Sequence, residues 1–177
     1  TAGDLTIEEL AAGDLPAVLP RLAALLEGCV AAGASIGFMH PMAAGEAASW
    51  WRGLEGALRD GSRRVLLARR GEQILGTGAL ALAGLPNGRH RAEVSKLMVH
   101  PGARRQGIAR RLLAGLDEIA RQEGRRLLVL DTRAGDAGEP LYRSLGWVAA
   151  GAIPGYALAG DGPPEATVIY WRELPAR

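Results

Sequence analysis

The run Glu93-Val-Ser-Lys-Leu-Met-Val-His-Pro-Gly-Ala-Arg-Arg-Gln-Gly-Ile-Ala-Arg-Arg-Leu-Leu113 constrains the chain more than any other. Val94 to Val99 is a β-branched and apolar stretch stopped by Pro101-Gly102, which reads as a strand meeting a turn. Beyond it Ile108, Leu112, Leu116 and Ile119 recur at helical spacing, with Arg and Glu residues on the other side, so a helix lays one face on a sheet. A helix begins with backbone N–H groups that lack intrahelical partners, and its dipole places about half a positive charge there. Along Arg104-Arg105-Gln106-Gly107-Ile108-Ala109-Arg110, the small Gly107 and Ala109 let a phosphate approach those groups. Arg104, Arg105, Arg110 and Arg111 add charge of the matching sign. On these residues alone, a diphosphate cradle and a basic helix start on a solvated face both stay open.

A chain of 177 residues is long enough for one sizeable core and short for two, so a single domain over 1–177 is expected. Hydrophobic residues make up 48% and charged residues 23%, the balance of a soluble globular protein. The net charge is only +2; Lys and Arg total 21, yet Lys96 is the sole lysine. Arginine suits bidentate contact with phosphate or carboxylate, and a GC-rich coding sequence also supplies it, which accounts for most of these. Their dispersal among nearly as many acids argues against nucleic-acid binding. Cys29 is the only cysteine, which excludes an internal disulfide and a thiolate zinc site. His40, His90 and His100 show no ligand spacing, so no metal is expected. No apolar run approaches the roughly 20 residues that span a bilayer, and no signal-peptide pattern is read, so a cytoplasmic protein without a membrane partner is expected.

Leu5 to Leu10 reads as a first strand, and Asp14 as the cap of a helix carrying Leu15 to Cys29, with a kink or a later start at Pro20. The apolar loop Gly33 to Met42 either plugs the core or lines a pocket. A helix over Gly45 to Leu58 is expected to bury Trp50, Trp51 and Leu54. Arg64 to Arg69 and Ile74 to Leu82 read as strands turning at Arg70-Gly71-Glu72, and Pro86-Asn87-Gly88 as a further turn. Leu127 to Leu130 is a continuous apolar run, as in a strand covered on both faces and paired in parallel. A helix from Ala137 to Leu145 and strands over Trp147 to Ile153 and Thr167 to Trp171 complete an α/β order with a mixed sheet. Strand alternation puts Glu93, Ser95, Leu97 and Val99 on one face, barring a bulge, and Val94, Lys96 and Met98 on the other.

Arg104-x-x-Gly107-x-Ala109, preceded by Leu97-x-Val99-x-Pro101, resembles the acetyl-CoA signature of the GNAT N-acetyltransferase superfamily. Glu139-Pro-Leu-Tyr-Arg-Ser-Leu-Gly-Trp147 is similar to its Tyr-x-x-x-Gly-Phe motif, with Trp147 in place of Phe. The resemblance implies a mixed, mostly antiparallel sheet of about seven strands flanked by about four helices. It also implies that the main chain around Arg105, Gln106, Gly107, Ile108, Ala109 and Arg110 holds the CoA pyrophosphate. The strand Leu97, Met98, Val99 would pair with the pantetheine arm. Gly135 and Gly138 stand where the superfamily often has Asn and Ala, a departure on the CoA side. Gly33 to Met39, Arg91 to Val99, Leu130-Asp-Thr132 and Pro154-Gly-Tyr156 further resemble the tabtoxin-resistance acetyltransferases, which acetylate a small amino-acid β-lactam toxin.

Acetyl transfer to an amine poses two proton problems. An ammonium of pKa near 10.4 leaves roughly one molecule in 10³ neutral at pH 7, so a base must take its proton. The departing thiolate, whose parent thiol is near 8.5, needs a proton from an acid such as a phenol. By resemblance Tyr142 is that acid; it also reads as a tyrosine packed on the sheet. Glu93 is one candidate base, or else a partner for Arg91 or Lys96. Asp131, where a strand ends, is the other candidate, or a cap, or the anion that orients the substrate ammonium. Phe38 and Tyr156 are implied to line the acceptor pocket. The function so implied is acetyl-CoA-dependent N-acetylation of a small amino-acid-like amine. Acetylation of a protein N-terminus or lysine, and a non-catalytic CoA-binding regulatory domain, are the alternatives. The superfamily often pairs subunits, and Trp171 offers a surface for a homodimer.

Overall fold

The computed structural model describes residues 4–175. Among them β1 (Leu5–Glu9), β2 (Arg63–Arg70), β3 (Gln73–Leu82), β4 (Arg91–Val99), β5 (Leu127–Arg133), β6 (Val148–Leu158) and β7 (Pro164–Glu173) form one sheet in the order β1-β2-β3-β4-β5-β7-β6. Every pairing is antiparallel except β4 with β5, which gives the mixed, mostly antiparallel sheet expected. The helices are α1 (Leu15–Ala31), α2 (Glu46–Arg52), α3 (Glu55–Arg59), α4 (Ile108–Gln122) and α5 (Gly138–Ser144).

Period-two alternation gives the sheet two apolar faces. Val65 and Leu67 of β2 pack with Leu22, Leu26 and Trp51 on one face, while Leu66 and Ala68 pack with Leu112 and Leu116 on the other. Burying each such leucine contributes about 2 kcal/mol. Trp51 is fully buried, and its indole N–H donates to Leu22 O at 3.1 Å, tying α2 to α1 without an orphaned donor. On the other face α4 lies close over β3 because Gly76 has no side chain; a Cβ there would meet Met98 O at 2.9 Å and Ile108 Cγ2 at 3.1 Å.

Several local expectations are corrected. The helix begins at Leu15, before Pro20 rather than after it. Pro20 and Pro16 are both exposed, and Pro20 has no N–H to offer the Pro16 carbonyl. Asp14 occupies the N-cap position but makes no side-chain capping bond, because the chain arrives through a 3-10 turn with Asp14 in the helical region rather than extended. The helix expected over Gly45 to Leu58 breaks at Gly53 into α2 and α3; Trp51 is buried, whereas Trp50 and Leu54 are half-buried. In β5, Leu128 and Leu130 are buried but Leu127 and Val129 are only half-buried, so the run is not covered on both faces.

β4 decides the rest. Its ladder with β3 runs Gly76↔Val99 and Thr77↔Met98, then resumes at Ala79↔Ser95. Lys96 and Leu97 therefore oppose Gly78 alone, which is a β-bulge. Lys96 takes a left-handed conformation, φ 49°, and Thr77 Oγ1 donates to its carbonyl at 2.8 Å. The bulge inverts the alternation: Ala92 and Val94, then Leu97 and Val99, share the α4 face, while Met98 joins the α1 cluster. The single face expected for Glu93, Ser95, Leu97 and Val99 is thus corrected. β4 and β5 pair only through Arg91↔Leu127, Ala92↔Leu128 and Glu93↔Val129, and past that point they share no ladder.

Candidate active site

The turn before α4 has the form of an anion cradle. Arg105 at φ 63° and Gly107 at φ 76° bend the main chain into the left-handed region twice within three residues. Turns of that kind gather N–H groups into a concavity. Helix geometry leaves the amides of Ile108, Ala109 and Arg110 without intrahelical acceptors, and no side chain caps them. A Cβ on Gly107 would meet nothing within 4 Å, so conformation rather than space requires glycine there.

The arginine side chains contribute less than their number suggested. Arg110 donates to Ser144 Oγ at 3.1 Å and Arg111 to Leu5 O at 2.9 Å, while Arg104 lies beside Cys29. Gln106 accepts from Arg70 at 3.3 Å. Arg105 makes no hydrogen bond or ion pair with a described residue. The main chain is therefore the principal donor set of this turn.

Where β4 and β5 part, two cavities open and meet. One, of about 220 Å³, runs from Arg104 and Ala109 past Cys29, Met98 and Val99. The other, of about 270 Å³, is lined by Val94 to Leu97, Leu130 to Arg133 and Tyr156. Ser35, Ile36, Leu97, Arg133, Asp136 and Tyr142 line both, so they form one cleft with two compartments. The loop after α1 plays both roles expected of it: Ser35 and Ile36 line the cleft, and Phe38 and Met42 pack on the α1 core.

Tyr142, at the junction, is 8% exposed. Burial pushes its phenol up to about 12, with the charges of Asp136 and Asp131 adding to the effect. Its ring packs against Trp147 and Tyr170, at centroid distances of 6.2 and 5.9 Å. A Cβ on Gly138 would lie 3.0 Å from that ring, so the residue standing where Ala is common leaves room for the tyrosine. Glu139 anchors the element: its carboxylate accepts from the Tyr170 hydroxyl, from Gly135 N at 2.7 Å and from Arg143 at 3.1 Å. The Tyr170 hydroxyl and the Gly135 amide hold Glu139 below the usual carboxylate range.

The charged candidates are distributed unevenly. Asp131 lines the compartment beyond Tyr142 and makes no ion pair or hydrogen bond with a described residue. Glu93 is exposed, pairs with neither Arg91 nor Lys96, and is not part of the cavity wall, which corrects the half-buried position expected of it. Tyr156 lines the cavity and is 54% exposed. Phe38 does not line it; the ring sits behind Lys96, whose Nζ is 5.6 Å from its centroid.

Lys96, Arg133 and Asp136 are the charged wall residues that sequence reasoning passed over. Burial lowers the Lys96 ammonium below its ordinary value, as does Arg63, against the opposing pull of Asp131 and Glu93. A lone lysine among arginines was the available signal. No cluster of His, Cys, Asp and Glu suited to a metal occurs among the described residues, nor any helix long and apolar enough to cross a membrane.

Known proteins share this fold. A curated relative, an IAA acetyltransferase of Azospirillum brasilense, is 36% identical over 94 residues, which cover 52% of this chain and 60% of the relative. The match thus spans less than two thirds of that relative's length. The structure of ribosomal-protein-alanine N-acetyltransferase from Brucella melitensis superposes with a TM-score of 0.76 at 29% identity, covering 96% of this chain and 99% of that one. Salmonella typhimurium yncA, solved with its cofactor acetyl-CoA, has the same fold, with a TM-score of 0.76 at 19% identity over 99% of this chain and 96% of that one. The profile of the acetyltransferase (GNAT) family matches residues 21–147. A match of that extent decides membership: the chain belongs to the GNAT acetyltransferase family.

Proposed function

We propose that the protein is an N-acetyltransferase that moves the acetyl group of acetyl-CoA to the amine of a small amino-acid-like molecule. What carries this reading is the two-compartment cleft with Tyr142 at its junction. The amides from Arg105 to Arg110 hold the diphosphate, and Leu97, Met98 and Val99 border the pantetheine compartment. When bound, acetyl-CoA supplies an activated thioester. Tyr142 keeps its proton at neutral pH, since only about one phenol in 10⁵ is ionised five units below its pKa; it donates that proton to the departing sulfur and regains one from the nitrogen that has accepted the acetyl group. Asp131, unpaired in the acceptor compartment, takes the proton of the incoming ammonium; Glu93 lies outside the cavity wall. The resemblance to tabtoxin-resistance enzymes makes an amino-acid β-lactam toxin one acceptor to test. Self-association through the surface that carries Trp171, which is exposed, belongs to the same reading and is checked by sedimentation.

The name of the Brucella relative favours a second reading, acetylation of a protein N-terminus. Thiol release from acetyl-CoA, measured with small amines and with peptides, separates the two. Release with small amino-acid-like amines alone is expected, and release with peptides alone overturns the first reading. CoA bound but never turned over, with no change in Tyr142→Phe, points instead to a regulatory domain.

A further inference from the structure

We propose that Lys96 selects the acceptor: the cleft takes an amine that also carries a carboxylate, and the Lys96 ammonium binds that carboxylate. This rests on the acetyl-transfer reading and adds to it the site that recognises the acceptor's carboxylate.

Lys96 is the only lysine of the chain and occupies the bulge of β4, where its left-handed backbone is pinned by Thr77. Its Nζ lies 5.0 Å from the centroid of Trp50 and 5.6 Å from that of Phe38, and those rings meet edge to face at 5.8 Å. Gly37 backs the same spot, where a Cβ would come 3.5 Å from Nζ. The half-buried side chain lines the compartment that holds Asp131 and Tyr142. The charged groups around it are Arg63 from β2, Glu93 from β4 and Asp131 from β5.

Asp131 and Glu93 are the two acids whose charge reaches Lys96. Lys96 pairs with neither, and no described residue accepts a hydrogen bond from it. Ring faces attract a cation but do not neutralise it, and an ammonium drawn out of water without an anion is costly. Asp131 is exposed and likewise has no ion pair or hydrogen bond with a described residue. One cation and one anion, each without a protein partner, thus border a single cavity. A zwitterion complements both: its ammonium goes to Asp131 and Tyr142, and its carboxylate to Lys96 through charge-assisted hydrogen bonds. A simple alkylamine lacks the second charge, and in a peptide the carboxylate next to the terminal amine is spent in the amide bond.

The test uses the whole protein and matched pairs: glycine, β-alanine, 4-aminobutanoate, 5-aminopentanoate and the larger L-amino acids, each beside its carboxamide. Thiol release is followed at varied acceptor concentration. We expect at least one acid to exceed its amide in kcat/KM by about 20-fold or more, mostly through KM, as for a hydrogen-bonded charge. Lys96→Met is expected to collapse that ratio to about threefold or less, and Lys96→Arg to retain most of it. Lys96→Gln replaces the Met variant if that one does not fold. Calorimetric titration of the same pairs onto the CoA-bound protein decides the point independently of turnover. Acids and amides used and bound equally by the unaltered protein, or a preference that survives loss of the Lys96 charge, overturn the proposal. Failure to turn over any amine, with Lys96-dependent binding of acids intact, sinks the acetyl-transfer reading and leaves the carboxylate site standing.

Discussion

Tyr142 is held neutral by its surroundings, and that state has consequences that can be measured. Replacing it with Phe keeps the ring between Trp147 and Tyr170 but removes the transferable proton. Turnover is expected to fall about 10²-fold while the dissociation constant for acetyl-CoA stays within about twofold. The same hydroxyl links pH to stability. Its folded pKa, about 12, lies above the ordinary 10.0, so the protonated form favours the fold. That contribution is complete below pH 10 and is lost as pH rises through 12, to the extent of about 2–3 kcal/mol. Denaturant melts across pH 9–12 should show an alkaline loss that is smaller by this amount in Tyr142→Phe. Gly107 yields a different kind of prediction. Its φ of 76° with open space around it means that Gly107→Ala costs about 1 kcal/mol of backbone strain and no steric clash. A small fall in melting temperature with a severalfold rise in KM for acetyl-CoA is the expected pair of results.

Elements carry the site only because particular bonds fix them. The β4 bulge is held by the Thr77 hydroxyl, which is fully buried and donates to Lys96 O. Thr77→Val keeps the shape and deletes that bond, so a loss of about 1 kcal/mol is expected by denaturant titration, with a raised KM for the acceptor. α5 depends on Glu139 in the same way. Glu139→Ala orphans the buried Tyr170 hydroxyl and the Gly135 amide, at a cost of about 2–3 kcal/mol by the same measurement, and lowers kcat by loosening Tyr142. The strand, turn and helix from Val94 to Gln122 were legible in the sequence because their signals are local: an apolar run, Pro101-Gly102, and a 3.6-residue stripe. The bulge was not legible. It is set by Gly78 and Thr77 on the neighbouring strand, and no pattern within β4 announces it. For the same reason the side chains assigned to one face of β4 fell on two, and Phe38 proved to stand behind a cation rather than face the cavity.

At the scale of the whole molecule, the element order sufficed to foresee a mixed sheet between helices, since each strand and helix pattern pointed to the same architecture. The cleft required the structure, because it is a gap between two strands separated in sequence by the whole of α4 rather than a motif. β4 and β5 are joined by three rungs at one end only. The β1–β4 half and the β5–β7–β6 half are thus leaves of a book bound along a fraction of its spine, and a guest slipped between them serves as binding thread. Heating the protein with rising CoA should lift its melting temperature by mass action. The amides of β4 and β5 beyond Glu93 and Val129 should show the largest slowing of hydrogen exchange, while those of β1 and β2 change little.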